Sequence, residues 1–172
     1  TIYVVEASSY QIEYSKYYKT DISAILNISP DHLERHGNIN DYIKAKTKIF
    51  LAQKKTDYSY INATNKYSSV IKKIIKKKNI KSKLFTLNKF KYNFLTKKIN
   101  NKYFDSQGNF ENLVFAYKIA KDFKINDKVI IKSINSFKGL PHRQEIVFSN
   151  KKLLFINDSK ATSFNASLQS LN

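Results

Sequence analysis

The chain has 172 residues and a mass of 20.1 kDa, which suits one ordinary domain or one domain and part of another. Its 31 Lys+Arg against 13 Asp+Glu give a formal charge of +18, and 42% hydrophobic residues with 12 Phe and 12 Tyr are ample for a packed core, which excludes a disordered chain. The lack of Cys excludes disulfide frameworks, thiolate zinc sites and cysteine nucleophiles; no Gly precedes a Lys, so no phosphate-binding loop of the GxxxxGK(S/T) type lies within these residues.

The chain has no Met, opens on Thr1-Ile2-Tyr3-Val4-Val5 and stops within a helical pattern, so it reads as an internal fragment of a longer protein. No apolar run approaches the ~20 residues needed to span a bilayer. Ile2–Val5 and 22–28 are short, β-branched runs expected to be buried strands. Residues 41–53 have helical periodicity, 58–61 reads as a strand, and 83–87 as another. Between those strands, Tyr67, Val70, Ile71, Ile74 and Ile75 mark one face of an amphipathic helix. This alternation predicts an α/β fold, a mostly parallel sheet with flanking helices.

A polar, irregular stretch covers 88–108. A helix follows with Leu113, Ala116, Tyr117 and Ala120 on one face, then a second runs from an Asn126 N-cap to Phe137. Gly139-Leu140-Pro141 breaks the pattern, and 146–148 and 153–156 predict a hairpin. A domain boundary is expected near 137–140.

The densest charge lies on the Lys-rich helix, where Lys72, Lys73, Lys76, Lys77 and Lys78 fall opposite the apolar stripe. A nucleic-acid reader would more often interleave Arg with aromatic residues on one surface, and this chain has two Arg. A solvated face carries more weight than nucleic-acid binding.

Three apolar runs end in polar clusters: Glu6-Ala7-Ser8-Ser9-Tyr10-Gln11, Ser29-Pro30-Asp31-His32 and Asn157-Asp158-Ser159-Lys160. In open α/β sheets, loops beyond the C-terminal strand ends converge, which makes Glu6 and His32 candidates for a hard-metal or phosphate site; ordinary turn chemistry is the plainer reading of each cluster alone. His32 and His36 are spaced i, i+4, but the intervening Glu stands in the wrong place for a zinc-protease helix, and Pro30 and Gly37 bracket a segment too short for a stable helix. Lys46 is more informative. At about 100° per residue it falls inside the arc of Tyr42, Ala45, Ile49 and Phe50, while Lys44 and Lys48 point away. Desolvation of a core-facing lysine favours the neutral amine, which can take up CO2 as a carbamate; a lysine snorkelling at the stripe's edge is the commoner outcome.

Four segments in order resemble the Mur ligase family: Glu6–Gln11; Asn27–Gly37 followed by Tyr42 and Ala45-Lys46; Gly139-Leu140-Pro141-His142-Arg143; and Asn157-Asp158-Ser159-Lys160-Ala161-Thr162. The last two point to the family's D-glutamate-adding branch. The resemblance implies residues 1–137 as a partial central ATP-binding domain, with its phosphate-binding loop upstream, and 138–172 as the start of a C-terminal ligase domain. It implies ATP and two Mg2+ ions, with Glu6 at one ion and His32 at the other, the latter supported by carbamylated Lys46. It further implies that Ser8 and Gln11 contact the muramoyl substrate and that Asn109, Asn112, Arg143 and Asp158 hold ATP. Lys160 would approach the phosphates or the reacting groups, and Thr162 the incoming amino acid. The implied activity joins D-glutamate to UDP-N-acetylmuramoyl-L-alanine through an acyl phosphate during peptidoglycan precursor synthesis, by a cytoplasmic monomer without nucleic-acid partner or membrane insertion.

The chain departs from the family's pattern at Gly108, where His is common before the Asn pair, at Ser163, where Asn is usual, and at Ala7, where Leu is common. None of these removes an implied metal ligand. The alternatives are a ligase on the same scaffold adding another amino acid, or glutamate to folate, and a basic nucleic-acid-binding module.

Overall fold

Strands β1 (Ile22–Ile25), β2 (Tyr58–Asn62) and β3 (Lys83–Leu87) form a parallel sheet in that order, with Ile22 opposite Tyr58 and Tyr58 opposite Lys83. The computed structural model describes residues 1–30 and 33–161. They belong to two compact units, Thr1–Asn88 and Lys89–Asn172, which are treated separately below.

In the first unit, helices α1 (Ser9–Tyr14), α2 (Leu33–His36), α3 (Ile39–Thr47) and α4 (Ser68–Lys77) accompany the sheet. A 3-10 turn over Lys48–Phe50 continues α3. Asn38 caps α3 by accepting from the Asp41 amide. The core joins Ile25 and Ile61 of the sheet to Ile28, Tyr42, Ile43, Phe50, Ile71 and Ile75. Ile71 and Ile75 turn inward from α4 while Lys72, Lys73, Lys76 and Lys77 are exposed, the solvated lysine face read from the periodicity. At the opposite ends of β1 and β2, the buried Gln53 accepts from Ser59 Oγ and donates to Tyr58 O at 3.0 Å and Ser23 Oγ at 3.3 Å. Buried amides require such partners. Beyond the C-terminal strand ends, Asn65 Nδ2 donates to Ile28 O at 2.9 Å, tying the loop after β2 to the one after β1.

The first apolar run is a correction. Residues 1–8 are neither helix nor strand, and Ile2, Tyr3, Val4 and Val5 are exposed, Val4 at 94%. β-Branched residues suit a strand, but a strand exists only where a neighbouring edge takes its hydrogen bonds, and none of the described strands pairs with this run. Leu33–His36 does form one helical turn despite Pro30 and Gly37.

In the second unit, α5 (Gln107–Asp122) and α6 (Asp127–Ser136) pack Leu113, Tyr117, Ile130 and Ile134 around Leu95. Leu95 ends a 3-10 segment, Lys89–Leu95, so the stretch expected to be irregular holds a core residue. Ser106 and Asn126 cap the two helices. Strands β4 (Glu145–Ser149) and β5 (Leu154–Asn157) form the expected antiparallel hairpin, with a register shift between Ile146 and Phe148. Asn101 Nδ2 donates to Phe137 O at 2.7 Å and Tyr103 packs edge-on against Phe137, tying the segment before α5 to the end of α6.

Gly139 holds φ +83, and a Cβ there would come within 2.9 Å of the Tyr103 ring. Gly139→Ala is therefore expected to destabilise this unit by about 1–2 kcal/mol from left-handed strain alone. A lower urea midpoint, followed by circular dichroism, checks it.

Among the described residues no helix is long and apolar enough to cross a membrane.

Candidate active site

Glu6 and Ser8 lie on the segment entering α1, and both are exposed. Ser8 is the N-cap: its Oγ accepts from the Gln11 amide at 3.2 Å, while Gln11 Oε1 accepts from the Ser8 amide at 2.8 Å. This reciprocal capping box gives both side chains a structural task, ending the helix where its first amides lack partners. It also turns the Glu6–Gln11 signature into a helix start rather than a strand end. His32 lies outside the described residues.

Lys46 is half-buried on α3, with Nζ 5.2 Å from the centre of the Tyr42 ring. The helical arc placed it correctly: Tyr42, Ala45 and Phe50 are buried around it, and Lys44 and Lys48 are exposed. Tyr42 in turn lies 5.2 Å, ring to ring, from His36. His36 meets α1 at Ser9, its Nε2 3.0 Å from Ser9 Oγ. The Glu6–Gln11 segment, the end of α2 and the Lys46 face of α3 are thus linked side chain to side chain.

Among the described residues no three His, Cys, Asp or Glu side chains gather to hold a metal ion. Mg2+ does not require such a cage, since it takes one or two carboxylates, keeps water and completes its shell with phosphate oxygens. Glu6, an exposed carboxylate before a helix start, has the donor chemistry for such an open site, and a carbamate on Lys46 would add two oxygens of the same kind.

The second unit brings together a different set. Gln144 Oε1 accepts from Asn109 Nδ2 at 2.8 Å and from Ser106 Oγ at 3.2 Å, while the Gln144 amide donates to Asp158 Oδ1 at 3.1 Å. Asn109 Nδ2 also donates to Tyr103 O at 2.8 Å. Burial pushes the Tyr103 phenol above its ordinary pKa; Arg143 opposes that shift and Asp158 adds to it, so both charges lie within electrostatic reach of the ring. The Lys160 amide donates to His142 O at 3.1 Å, folding the segment after β5 onto the Leu140–Arg143 turn. Asn109, Arg143, Asp158 and Lys160 are therefore gathered around one turn. Asn112 is exposed on α5, a turn beyond Asn109, and Thr162 lies outside the described residues.

Sequence reading missed Gln144, Ser9 and the role of His36. Nothing in periodicity marks Gln144. Its φ of 49° is backbone geometry that a glutamine does not advertise.

The Mur ligase middle domain matches residues 1–130. UDP-N-acetylmuramoylalanine--D-glutamate ligase of Rickettsia prowazekii (strain Madrid E) is 37% identical over 98% of this chain and 41% of its own length. The enzyme of that name from Caldicellulosiruptor saccharolyticus is 36% identical over 100% of the chain and 41% of its own. The chain thus spans about two fifths of the curated relatives it matches. Among solved structures, MurF from Acinetobacter baumannii superposes with a TM-score of 0.67 at 18% identity, covering 89% of this chain and 37% of that one. A UDP-N-acetylmuramoyl-L-alanyl-D-glutamate--2,6-diaminopimelate ligase superposes at 0.63, with 19% identity, covering 84% of this chain and 34% of that one. Parallel strands, signature segments in order and a match over three quarters of its length agree: the chain belongs to the Mur ligase family.

Proposed function

We propose that these residues are the middle of an ATP-dependent ligase that joins D-glutamate to UDP-N-acetylmuramoyl-L-alanine in the cytoplasm, acting as a monomer. Residues 1–137 would belong to its central ATP-binding domain and 138–172 would open its C-terminal domain. The observation that carries the reading is the likeness to D-glutamate ligases over nearly the whole chain. Half-buried Lys46 on its tyrosine, linked through His36 to the Glu6 segment, supports it.

In this reading the muramoyl substrate's terminal carboxylate attacks the γ-phosphorus of ATP, and ADP leaves. The D-glutamate amine then attacks the acyl phosphate carbonyl, loses a proton, and inorganic phosphate departs as the amide forms. Both steps crowd negative oxygens, so donors fixed in advance lower the barrier. Two bound Mg2+ ions would supply charge neutralisation at the phosphates. Glu6, His32 and carbamylated Lys46 would hold them. Ser8 and Gln11 would orient the muramoyl substrate beside the α1 start. Arg143 and Lys160 would bring positive charge to the phosphates, Asn109, Asn112 and Asp158 would hold the nucleoside, and Thr162 would meet D-glutamate.

Full-length protein is expected to release ADP from ATP only with both UDP-N-acetylmuramoyl-L-alanine and D-glutamate present, while the 172-residue piece alone releases none. A full-length protein that used L-lysine, diaminopimelate or a folate in place of these substrates would assign it to another branch.

A further inference from the structure

Asn109 stands in the first turn of α5, and its side-chain amide is held from two directions. Nδ2 donates to Tyr103 O at 2.8 Å and to Gln144 Oε1 at 2.8 Å. A backbone carbonyl only accepts, so the Tyr103 contact fixes which end of the amide is nitrogen. A primary amide has two hydrogens, and these two acceptors take both. Oδ1 of the same amide accepts from no described residue, and it is not among their buried unpartnered oxygens. Asn109 therefore presents an acceptor, and no donor, to a ligand that approaches it.

Gln144 is itself fixed at both ends. Its Oε1 also accepts from Ser106 Oγ at 3.2 Å, the hydroxyl that caps α5. That hydroxyl has one proton; giving it to Gln144 leaves a lone pair for the Asn109 backbone amide, which donates to it at 3.4 Å. The Gln144 backbone amide donates to Asp158 Oδ1 at 3.1 Å. The tie to Asp158 uses main chain on the Gln144 side, so it needs no particular side chain. The oxygen at the end of the glutamine is accounted for by Asn109 and Ser106.

We propose that Gln144 is a positioning residue that keeps the Asn109 oxygen as the face offered to the nucleotide, so that the subsite takes a base donating from its 6-position: adenine over a 6-oxo purine. The inference rests on the reading of Asn109 and Asp158 as nucleoside-holding residues given above. An asparagine with a hydrogen to spare pairs with both N6 and N7 of adenine. Here both hydrogens are taken, so discrimination falls to one contact, from the N6 amine to Oδ1. A 6-oxo purine sets its own oxygen against that acceptor with no proton between them, which selects against it.

The test measures binding of ATP and of ITP, which differ only at the 6-position, to the full-length protein by isothermal titration calorimetry. Mg2+ is present and the muramoyl substrate is left out, so no ligation consumes the nucleotide. Wild-type protein is expected to prefer ATP. Gln144→Met keeps the side chain's length and the backbone tie to Asp158 but removes the accepting oxygen. It should weaken ATP about tenfold, the scale of one oriented hydrogen bond, and leave ITP within about twofold. Gln144→Glu, which still accepts from Asn109 and Ser106, should keep the preference. Adding Gln144→Met to Asn109→Ala should cost ATP binding nothing further, because the glutamine acts through Asn109. If Gln144→Met fails to fold, Gln144→Ser, too short to reach Asn109, carries the test. Equal affinity of wild-type protein for ATP and ITP, or a Gln144→Met protein whose preference is unchanged, overturns the proposal and leaves the nucleotide reading standing. Wild-type protein that binds neither nucleotide, or ATP binding indifferent to Asn109→Ala, overturns the nucleotide reading of Asn109 and the proposal with it.

Discussion

Lys46→Arg in the full-length protein is expected to lower D-glutamate-dependent turnover about 10²- to 10³-fold, the scale seen when one preorganised electrostatic group is lost. The substitution separates two roles that coincide in the lysine. Lys46 is half-buried with its Nζ 5.2 Å from the Tyr42 ring centre, a contact a guanidinium also makes well. Arginine therefore preserves the cation and its packing. It cannot become the neutral amine that takes up CO2, because its charge is permanent at any working pH. Turnover and circular dichroism should part company: catalysis lost, fold retained. Labelled bicarbonate should give wild-type protein a carbamate 13C resonance that the variant lacks. Equal turnover in the two proteins would reduce Lys46 to a cation resting on a tyrosine.

Phe50→Ala should produce the largest loss of stability, about 3–5 kcal/mol. Phe50 is 0% exposed, at the end of the 3-10 turn that continues α3, and packs in the cluster of Ile25, Ile43, Ile61 and Ile71. Removing the ring forfeits its transfer from water and leaves a cavity that a sheet and two helices cannot close. The adjacent Leu51 is 48% exposed, so Leu51→Ala is expected to stay within about 0.5 kcal/mol. Urea unfolding of the two variants side by side checks the contrast. Because Phe50 follows Lys46 by one helical turn, a partly folded Phe50→Ala protein should also lose the Lys46 carbamate signal.

Much of this was readable before any coordinates. Lys83–Leu87 was placed as a strand residue for residue, and α6 lies between the Asn126 cap and Phe137 as read. Both are local signals: a β-branched and aromatic run in one case, a side chain that accepts from the first turn in the other. Lys46 was legible for the same reason, since helical geometry fixes which residues share a face. Ile2–Val5 was misread because its pattern is that of a strand while its pairing is absent from the described residues. The start of α1 was taken for a strand-end cluster, although Ser8-Ser9-Tyr10-Gln11 spells the Ser-x-x-Gln form of a capping box. That signal was available and was passed over.

Family membership and the identities of the candidate ligands were thus written into the order of the residues, because motifs and helical faces are properties of chain neighbours. The meeting of Ser9 with His36 across 27 positions, and of Gln144 with Asn109 across 35, was not. Such pairs depend on where a whole helix or turn comes to rest, which is set by many weak packing contacts at once. Burial then makes each polar partner obligatory, so long-range packing, rather than local spacing, selected which hydrogen bonds brace the site.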